Sequence, residues 1–416
     1  MHRFAKRRLP LLALAGASFV ASCRHPAPTK ATRLASIDTL AVAKPHAVGM
    51  DDSLNVVLDS IAVRAIHRGI APGMALAVAR YGRLVHYRGY GATDWAAGSS
   101  AVTDSTLYDL ASLTKVIATT TAAMILEESG KLDIDHTVHS YVKELSAKPK
   151  APITVRMLLT HSAGFEAGAP LYKKYKGRAD YLKQINKRKL EYKPGTGTIY
   201  SDWDMVLLQA VIERIAKVPL DSFVSEHVFR PLGMRDTRLT PDTSDKALRQ
   251  RIAATEIDPA RGGLLRGTVD DQNAWALGGV AGHAGLFSSI RDLSVFAEMI
   301  LNGGSFRGVR ILKPETIAMW TGRQRATSSR ALGWDTPAVD ASSGHYFSTR
   351  SIGHTGFTGT SLWIDPERGV FVVLLMNRIN SRGGGEGHLQ VRRDVADAVQ
   401  SAIVDAPLVN WEARLR

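Results

Sequence analysis

The sequence predicts an α+β fold, in which an antiparallel sheet formed by both ends of the chain is flanked by helices and carries an inserted, mainly helical region. A strand–turn–strand pattern at residues 74–87 and an apolar strand at residues 370–377 predict the sheet. The apolar helical patterns at 116–126 and 205–215 both lie between those strands, which predicts the insertion.

The elements at the two ends of the chain define the predicted domain. Residues 51–69 repeat apolar side chains at helical spacing, and Tyr81-Gly82-Arg83 is the turn of the predicted hairpin. Residues 370–377 are apolar throughout, so we expect a central strand. A closing amphipathic helix is predicted at 392–404. The predicted domain covers residues 51–405, with the helical insertion at about 125–290 and a tail at 406–416.

The first 22 residues predict a signal peptide. Four basic residues precede an apolar run at residues 9–20, which is too short to span a bilayer comfortably. Cys23, the only cysteine of the chain, follows Val20-Ala21-Ser22, and this resembles a bacterial lipobox, in which the cysteine is lipidated. The alternative is an ordinary secretory signal with a chance cysteine. We predict export to the bacterial cell envelope, a periplasm-facing lipid anchor at Cys23, and a tether over residues 23–50.

The charge of the chain limits the classes of partner. Its 416 residues carry a formal net charge of +14, and loss of residues 1–22, with four basic and no acidic residues, lowers this to about +10. No nucleic-acid-binding signature is present, so we expect anionic cell-wall polymers or a lipid surface instead. The basic segment, residues 173–193, predicts a polymer-binding rim or, alternatively, a solvated face. No segment after the signal peptide is long and apolar enough to be transmembrane.

A candidate nucleophile lies at the start of the first long apolar helix. Ser112 and Lys115 are three residues apart, so on a helix they share one face. A serine hydroxyl needs a neighbour that takes its proton, and a lysine can do so if burial or nearby cations lower its pKa. The same spacing recurs at Ser140 and Lys143, but the polar sequence that follows predicts a surface position there. The alternative for Ser112 is a small polar residue near a helix start, with Lys115 reaching towards solvent.

Two further motifs follow Ser112-x-x-Lys115 in the order that β-lactamases and penicillin-binding proteins share. They are Tyr200-Ser201-Asp202 and His354-Thr355-Gly356. Together with segments at 153–165, 194–202 and 285–292, they make residues 50–405 similar to the serine hydrolases related to class C β-lactamases and DD-carboxypeptidases. The resemblance implies the β-lactamase/DD-peptidase fold and an acyl-enzyme on Ser112. It also implies ester or D-amino-acid peptide substrates, small or from the cell wall.

The resemblance assigns roles to single residues. Ser112 matches the nucleophile, Lys115 the lysine that shares its proton, and Tyr200 the tyrosine that protonates the leaving group. That tyrosine needs a depressed pKa, which a nearby lysine can provide. The backbone N–H groups of Ser112 and Phe357 match the oxyanion hole, which stabilises the tetrahedral intermediate. The residues expected to bind substrate are Asp202, His354, Thr355, Gly356 and Phe357.

Two positions depart from the pattern of the family. Asp202 stands where asparagine is usual, and a carboxylate accepts hydrogen bonds but cannot donate them. His354 replaces the usual lysine, so its positive charge weakens above roughly pH 6.5. Both changes predict weak β-lactamase activity at most, with neutral esters preferred to carboxylate-bearing substrates. The alternative function is a penicillin-binding sensor or cell-wall scaffold that acylates without turnover.

The histidines predict no metal site. His136, His139, His161 and His283 have no metal-ligand spacing with nearby acids or cysteine. We expect neither a metal nor an organic cofactor. His283 lies in a segment that borders the cleft in the family, and a role in the cleft and an ordinary loop position both stay open.

Overall fold

The computed structural model describes residues 40–382 and 386–415. The predicted signal peptide, Cys23 and residues 23–39 of the predicted tether lie outside this part of the chain. The strands are β1 Ala41–Val42, β2 Gly73–Arg80, β3 Arg83–Gly91, β4 Tyr108–Asp109, β5 Arg238–Leu239, β6 Ile257–Asp258, β7 Gly263–Leu264, β8 Leu286–Ser288, β9 Ser305–Phe306, β10 Val309–Arg310, β11 Ile352–Thr355, β12 Ser361–Asp365 and β13 Val370–Met376.

The α-helices are α1 Leu54–His67, α2 Thr121–Glu128, α3 Val138–Tyr141, α4 Val155–Leu159, α5 Arg178–Lys187, α6 Asp202–Ala216, α7 Leu220–Val224, α8 Lys246–Arg251, α9 Gln272–Ala276, α10 Ile290–Leu301, α11 Pro314–Thr321, α12 His388–Ser401 and α13 Trp411–Leu415. Short 3-10 turns lie at Pro45–Val48, Lys148–Lys150, Leu171–Lys173 and Pro259–Arg261. Two segments are π-helical, Lys115–Thr120 and Ser225–Phe229, and the first runs directly into α2.

Six strands form the main sheet, in the order β1-β3-β2-β13-β12-β11. The predicted hairpin is formed by β2 and β3, and β2 pairs with β13, so strands from the two ends of the chain meet at the centre. All pairs are antiparallel except that of β1, which runs parallel to β3. The predicted α+β class and the central position of β13 are confirmed. The sequence does not predict β1, because two residues are too few to show a period.

Both faces of the main sheet are covered, which explains why its central strands are apolar without alternation. Along β2, Ala75 and Ala77 face the larger core, which contains the inserted helices, whereas Leu76 and Val78 face a smaller core with α1 and α12. On the larger side, α10 packs against β13 and β2. Because β2 is fully buried, truncation of Leu76 to alanine is expected to cost about 2–5 kcal/mol of stability.

The segment between β3 and β11 is mainly helical, as predicted. It contains α2 to α11, the strand pairs β6–β7 and β9–β10, and a small sheet of β4, β8 and β5. Helix α6 begins at Asp202, earlier than predicted, because the Asp202 carboxylate in its first turn interacts favourably with the positive end of the helix dipole. Helix α6 packs against both α2 and α4. The segments that precede α2 and α6 are therefore brought together.

The chain ends in α13, within the predicted tail. The N–H of Trp411 donates to the carbonyl oxygen of His345 at 2.9 Å, and Arg393 on α12 donates to Glu412 at 3.1 Å. The predicted closing helix corresponds to α12, although α12 begins and ends before the predicted bounds. No helix within residues 40–382 and 386–415 is long and apolar enough to cross a membrane.

Candidate active site

Ser112 lies in a short turn between β4 and the π-helical segment Lys115–Thr120. The preceding residue, Ala111, has a φ angle of 46°, a left-handed conformation that is unfavourable for alanine. The buried side chain of Asp109 holds this turn by accepting a hydrogen bond from the Ala111 N–H at 2.8 Å. Burial raises the pKa of Asp109 to about 6. The predicted start of a buried helix is confirmed, although its π-helical geometry has no signal in the sequence.

The second Ser-x-x-Lys match lies on the surface, as predicted. Ser140 and Lys143 are both exposed, at the end of and just after α3. The Ser140 hydroxyl donates to the carbonyl oxygen of Thr137 at 2.6 Å. Ser140 therefore lacks the buried lysine contact that Ser112 has.

The ammonium group of Lys115 lies at the centre of the site. Its Nζ is 2.9 Å from Ser112 Oγ, 2.8 Å from Asp202 Oδ1 and 3.0 Å from the carbonyl oxygen of His283. Burial alone would lower the pKa of Lys115, but the charge of Asp202 and the proximity of Tyr200 outweigh it, so the pKa is raised. The lowered lysine pKa that a proton acceptor needs is not found, because its counterion is in direct contact.

Tyr200 is close to both the lysine and the serine. Its ring centroid is 4.8 Å from Lys115 Nζ, and its hydroxyl interacts with Lys115 and Ser112. Burial raises the pKa of Tyr200, Lys115 lowers it and Asp202 raises it further, with a net upward shift. The predicted depression of this pKa is wrong for the resting site, because burial and Asp202 together outweigh the lysine.

A buried histidine–aspartate pair supports Tyr200. His161 lies in the segment 153–165 that resembles the family, but its pairing with Asp204 has no signal in the sequence. His161 Nδ1 is 2.8 Å from Asp204 Oδ2, and both side chains are 1% exposed. The N–H groups of Ile199 and Ser201 donate to the carbonyl oxygen and Nδ1 of His161 at 3.0 and 3.3 Å, and the His161 and Tyr200 rings are 4.7 Å apart. Burial holds the pKa of His161 well below, and that of Asp204 well above, the usual value, so the pair is neutral. His161 thereby fixes both neighbours of Tyr200.

Strand β11 forms another wall of the site and carries His354. The His354 ring is 5.8 Å from the Tyr200 ring, and its Nδ1 donates to the carbonyl oxygen of Thr355 at 2.8 Å. Burial lowers the pKa of His354 to about 4. The predicted weak cation is therefore a neutral imidazole at physiological pH.

A permanent cation, Arg330, lies beside the same wall. Its guanidinium carbon is 5.1 Å from the Tyr200 ring centroid, and it forms an ion pair with Asp335. Asp335 exchanges two backbone hydrogen bonds of 2.9 Å with Gly353 of β11. Arg330 has no signal in the sequence, because it reaches the site only through this long-range pairing.

The turn between β11 and β12 is joined to the nucleophile segment. Thr358 and Thr360 donate side-chain hydrogen bonds of 2.6 and 3.0 Å to the carbonyl groups of residues 109 and 110. Within the described ranges, the N–H groups of Ser112 and Phe357 donate to no protein acceptor. Both are therefore available to a substrate oxygen, which is what an oxyanion hole requires.

The remaining predicted substrate-binding residues follow His354 along the chain. Thr355 ends β11 and is partly exposed. A Cβ atom at Gly356 would lie 2.3 Å from the carbonyl oxygen of Leu110, so the turn approaches the nucleophile segment too closely for a side chain. The side chain of Phe357 is 62% exposed and packs against Arg378, whose guanidinium carbon is 4.5 Å from the ring.

A comparison with known proteins identifies the family. The model of the beta-lactamase family matches residues 58–397. The chain belongs to this family. It is 35% identical over 347 residues to an Escherichia coli O157:H7 protein provisionally named D-alanyl-D-alanine carboxypeptidase, with 74% of this chain and 79% of the relative covered. A Salmonella agona (strain SL483) protein of the same name is 33% identical over 376 residues, with 82% and 87% covered.

Two solved structures have the same fold. EstCE1, described as a hydrolase with promiscuous acyltransferase activity, has a TM-score of 0.67 at 23% identity, over 84% of this chain and 99% of that one. An octameric penicillin-binding protein homologue from Pyrococcus abyssi has a TM-score of 0.65 at 22% identity, over 84% and 78%. These two likenesses concern the fold. With the family match and the named relatives, they confirm the predicted fold and family, and this family member is a serine hydrolase.

Three potential metal ligands also meet beside Lys115. Asp202, Asp271 and His283 place one ligand atom each within 4.8 Å of one another. Asp202 is paired with Lys115, however, and His283 Nε2 is 2.9 Å from Asp271 Oδ1, so all three are engaged within the protein. The expectation of no metal and no organic cofactor stays a prediction. Through its carbonyl group, His283 contacts the site directly.

Proposed function

We propose that this hydrolase acts on esters or D-amino-acid peptides through an acyl-enzyme on Ser112, like a DD-carboxypeptidase or esterase. The observation that carries the proposal is the 2.9 Å contact between Lys115 Nζ and Ser112 Oγ, with the Tyr200 hydroxyl next to both. The names of the Escherichia coli and Salmonella relatives support a D-alanyl-D-alanine peptide as substrate.

The arrangement supplies each group that acyl transfer needs. Ser112 Oγ attacks the substrate carbonyl carbon, and the N–H groups of Ser112 and Phe357 stabilise the negative oxygen that forms. Removal of one such donor typically costs about 100- to 1,000-fold in rate. The Tyr200 hydroxyl protonates the leaving group, and after its departure Tyr200 can accept a proton from the water that attacks the acyl-enzyme.

The charges around the site favour a neutral substrate. Lys115 is paired with Asp202, Arg330 is paired with Asp335, and burial keeps His354 uncharged. A substrate carboxylate would have to compete with one of these acids for its cation. We therefore propose that neutral esters are better substrates than carboxylate-ended peptides, and that β-lactamase activity is weak at most.

Covalent labelling tests the proposal. The Ser112→Ala variant should lose labelling by a fluorophosphonate, while Ser140→Ala, at the surface serine with the same spacing to a lysine, should retain it. A fluorescent penicillin followed by a chase then distinguishes turnover from capture. A label that forms and decays supports an enzyme, whereas a permanent label supports the penicillin-binding sensor. Loss of labelling in Ser140→Ala alone would contradict the assignment of Ser112.

We also propose that the protein is exported and held at the membrane by lipid on Cys23, with the domain facing the periplasm. The support is the short apolar run followed by a single cysteine. Several acyl chains anchor a protein stably, where one does not. Cys23→Ser should release the protein to the soluble fraction or leave it unprocessed; normal processing with unchanged membrane fractionation would contradict the anchor.

A further inference from the structure

Lys115 has no free hydrogen-bonding capacity in the resting site. An ammonium group has three donors and no acceptor. Its three short contacts are with Ser112 Oγ, Asp202 Oδ1 and the carbonyl oxygen of His283, at 2.9, 2.8 and 3.0 Å. In this arrangement Lys115 donates to the Ser112 oxygen. It cannot accept the Ser112 proton until it has lost one of its own.

The partners of Lys115 differ in their ability to take that proton. Ser112 is the nucleophile itself, and the partner from His283 is a backbone carbonyl group, which is not basic enough to be protonated. Tyr200 is a phenol that already carries its proton, and its pKa is raised. The carboxylate of Asp202 is thus the one basic group among the described contacts of Lys115 Nζ.

We propose that Asp202 is a catalytic proton acceptor, which takes a proton from Lys115 as the lysine takes one from Ser112. This inference rests on the proposed function, in which Ser112 is the nucleophile. The Lys115 N–H bond facing Asp202 breaks and an O–H bond forms on Asp202. The Ser112 O–H bond breaks, its proton moves to Lys115 Nζ, and Ser112 Oγ bonds to the substrate carbonyl carbon. The carbonyl oxygen takes the electron pair, so charge and atoms balance.

The surroundings of Asp202 favour this transfer. The ion pair of Lys115 and Asp202 lies in a site where the lysine side chain is fully buried and the aspartate is 26% exposed. A substrate that covers the aspartate removes water from it, which disfavours the charged pair relative to a neutral amine and acid. Asp271 places a second carboxylate oxygen within 4.8 Å of one from Asp202, but it has no described contact with Lys115.

The transfer gives a physical reason for the aspartate at this position. An asparagine amide can donate and accept hydrogen bonds, but it is not basic enough to take a proton from an ammonium group. The carboxylate that keeps Lys115 protonated in the resting site is also the group that can take its proton, so Ser112 can be deprotonated through Lys115 and Asp202. In this proposal Asp202 takes part in the proton transfer, in addition to repelling a substrate carboxylate.

The acylation rate of Asp202 variants tests the inference. A p-nitrophenyl ester is neutral, so its reaction does not depend on carboxylate recognition, and the release of p-nitrophenol in a stopped-flow burst reports acylation directly. We expect Asp202→Asn to acylate about 100-fold more slowly than the wild type or worse, the usual size of an acid–base contribution. Asp202→Glu keeps a carboxylate and should stay within about tenfold of the wild type. Thermal unfolding of each variant shows whether it is folded.

Asp271→Asn is the matched control, since it removes the same charge a few ångströms away without contacting Lys115. The fold-decrease in the acylation rate of Asp271→Asn should be less than about one tenth of the fold-decrease in Asp202→Asn. The inference is overturned if Asp202→Asn acylates as fast as the wild type or faster, or if both variants lose equally. Failure of the proposed function looks different, because Ser112→Ala would then keep its label.

Discussion

At the scale of single residues, the contact between Asp202 and Lys115 decides the chemistry of the site. The 2.8 Å ion pair neutralises the cation closest to Ser112. Arg330 is neutralised in the same way by Asp335. The cleft therefore matches the motif of the family at the nucleophile and the lysine, but Asp202 changes the charge that the cleft offers to a substrate.

The first prediction concerns substrate choice. Asp202→Asn should shift the ratio of kcat/KM towards carboxylate-bearing substrates by about tenfold, because it removes a like charge and leaves Lys115 without its counterion. His354→Lys should act in the same direction by placing a permanent cation on β11. The ratio for a carboxylate-ended D-Ala peptide and a neutral ester, measured on the wild type and both variants, checks this even if absolute rates fall. An unchanged ratio in both variants would show that neither position influences a substrate carboxylate.

The second prediction concerns stability at low pH. Burial lowers the pKa of His354 to about 4, while the unfolded chain binds the proton near pH 6.5. As the pH falls below 6.5, the unfolded state gains a proton that the folded state does not bind, so stability is lost between pH 6.5 and 4. The loss amounts to about 2 kcal/mol at pH 5.

Urea unfolding at pH 7.5 and pH 5 measures this loss. The decrease in unfolding free energy between the two pH values should be about 2 kcal/mol smaller in His354→Gln than in the wild type. The surface variant His136→Gln controls for the loss of a histidine in general. An equal decrease in the wild type and His354→Gln would contradict a buried, neutral His354.

At the scale of elements, helix α12 is coupled to the oxyanion turn. Arg392 is 7% exposed and donates to the carbonyl oxygens of Gly356 and Thr360 at 2.6 and 2.8 Å. These two residues flank Phe357, whose N–H is one of the proposed oxyanion donors. Each of these carbonyl oxygens also accepts a backbone N–H, from Gly359 at 3.1 Å and from Gly356 at 2.7 Å, so the loss of Arg392 would remove one of two hydrogen bonds from each. A hydrogen bond from a charged group contributes about 1.5–3 kcal/mol.

The third prediction follows from this coupling. Arg392→Met should lower kcat by about 10- to 100-fold with little change in KM, because the displaced turn weakens a contact made only in the transition state. The affinity for a boronate analogue of the tetrahedral intermediate should fall by the same factor. Arg393→Met removes the same charge from the next position of α12 and serves as the control. A change in KM alone would contradict a role in positioning the oxyanion donor.

The elements show where sequence reasoning succeeds and where it ends. Hairpin β2–β3, central strand β13 and the buried helix after Ser112 are encoded in local periodicity, and each is confirmed. Arg330, the pair of His161 and Asp204, and Arg392 carry no local signal, because each reaches the site through a partner far away in the chain. The raised pKa values of Lys115 and Tyr200 have no local signal either, since Asp202 raises the first against the effect of burial, and burial raises the second.

At the scale of the whole molecule, the basic segment, residues 173–193, exposes a series of lysines. Seven lysines of the basic segment are exposed: Lys173, Lys174, Lys176, Lys183, Lys187, Lys189 and Lys193. Its two arginines are instead paired, Arg178 with Glu213 and Arg188 with Glu166. The segment is joined to the support of Tyr200, because the Tyr192 hydroxyl donates to the carbonyl oxygen of His161 at 3.1 Å. A rim that binds an anionic polymer stays a prediction, with a solvated face as the alternative.

The fourth prediction separates such a rim from a solvated face. A variant with Lys183, Lys187, Lys189 and Lys193 all changed to Gln should bind purified sacculi about tenfold more weakly at 0.05 M salt, because each lysine near an anionic surface contributes up to about 1 kcal/mol. The difference should shrink as salt rises, since exposed charges are screened beyond about 10 Å at 0.1 M. Turnover of a small neutral ester should not change.

The control carries the same net charge, with the exposed lysines Lys131, Lys143, Lys148 and Lys217 changed to Gln. Equal weakening in both variants would show that total charge is what matters, and salt-independent binding would show that the segment is an ordinary solvated face.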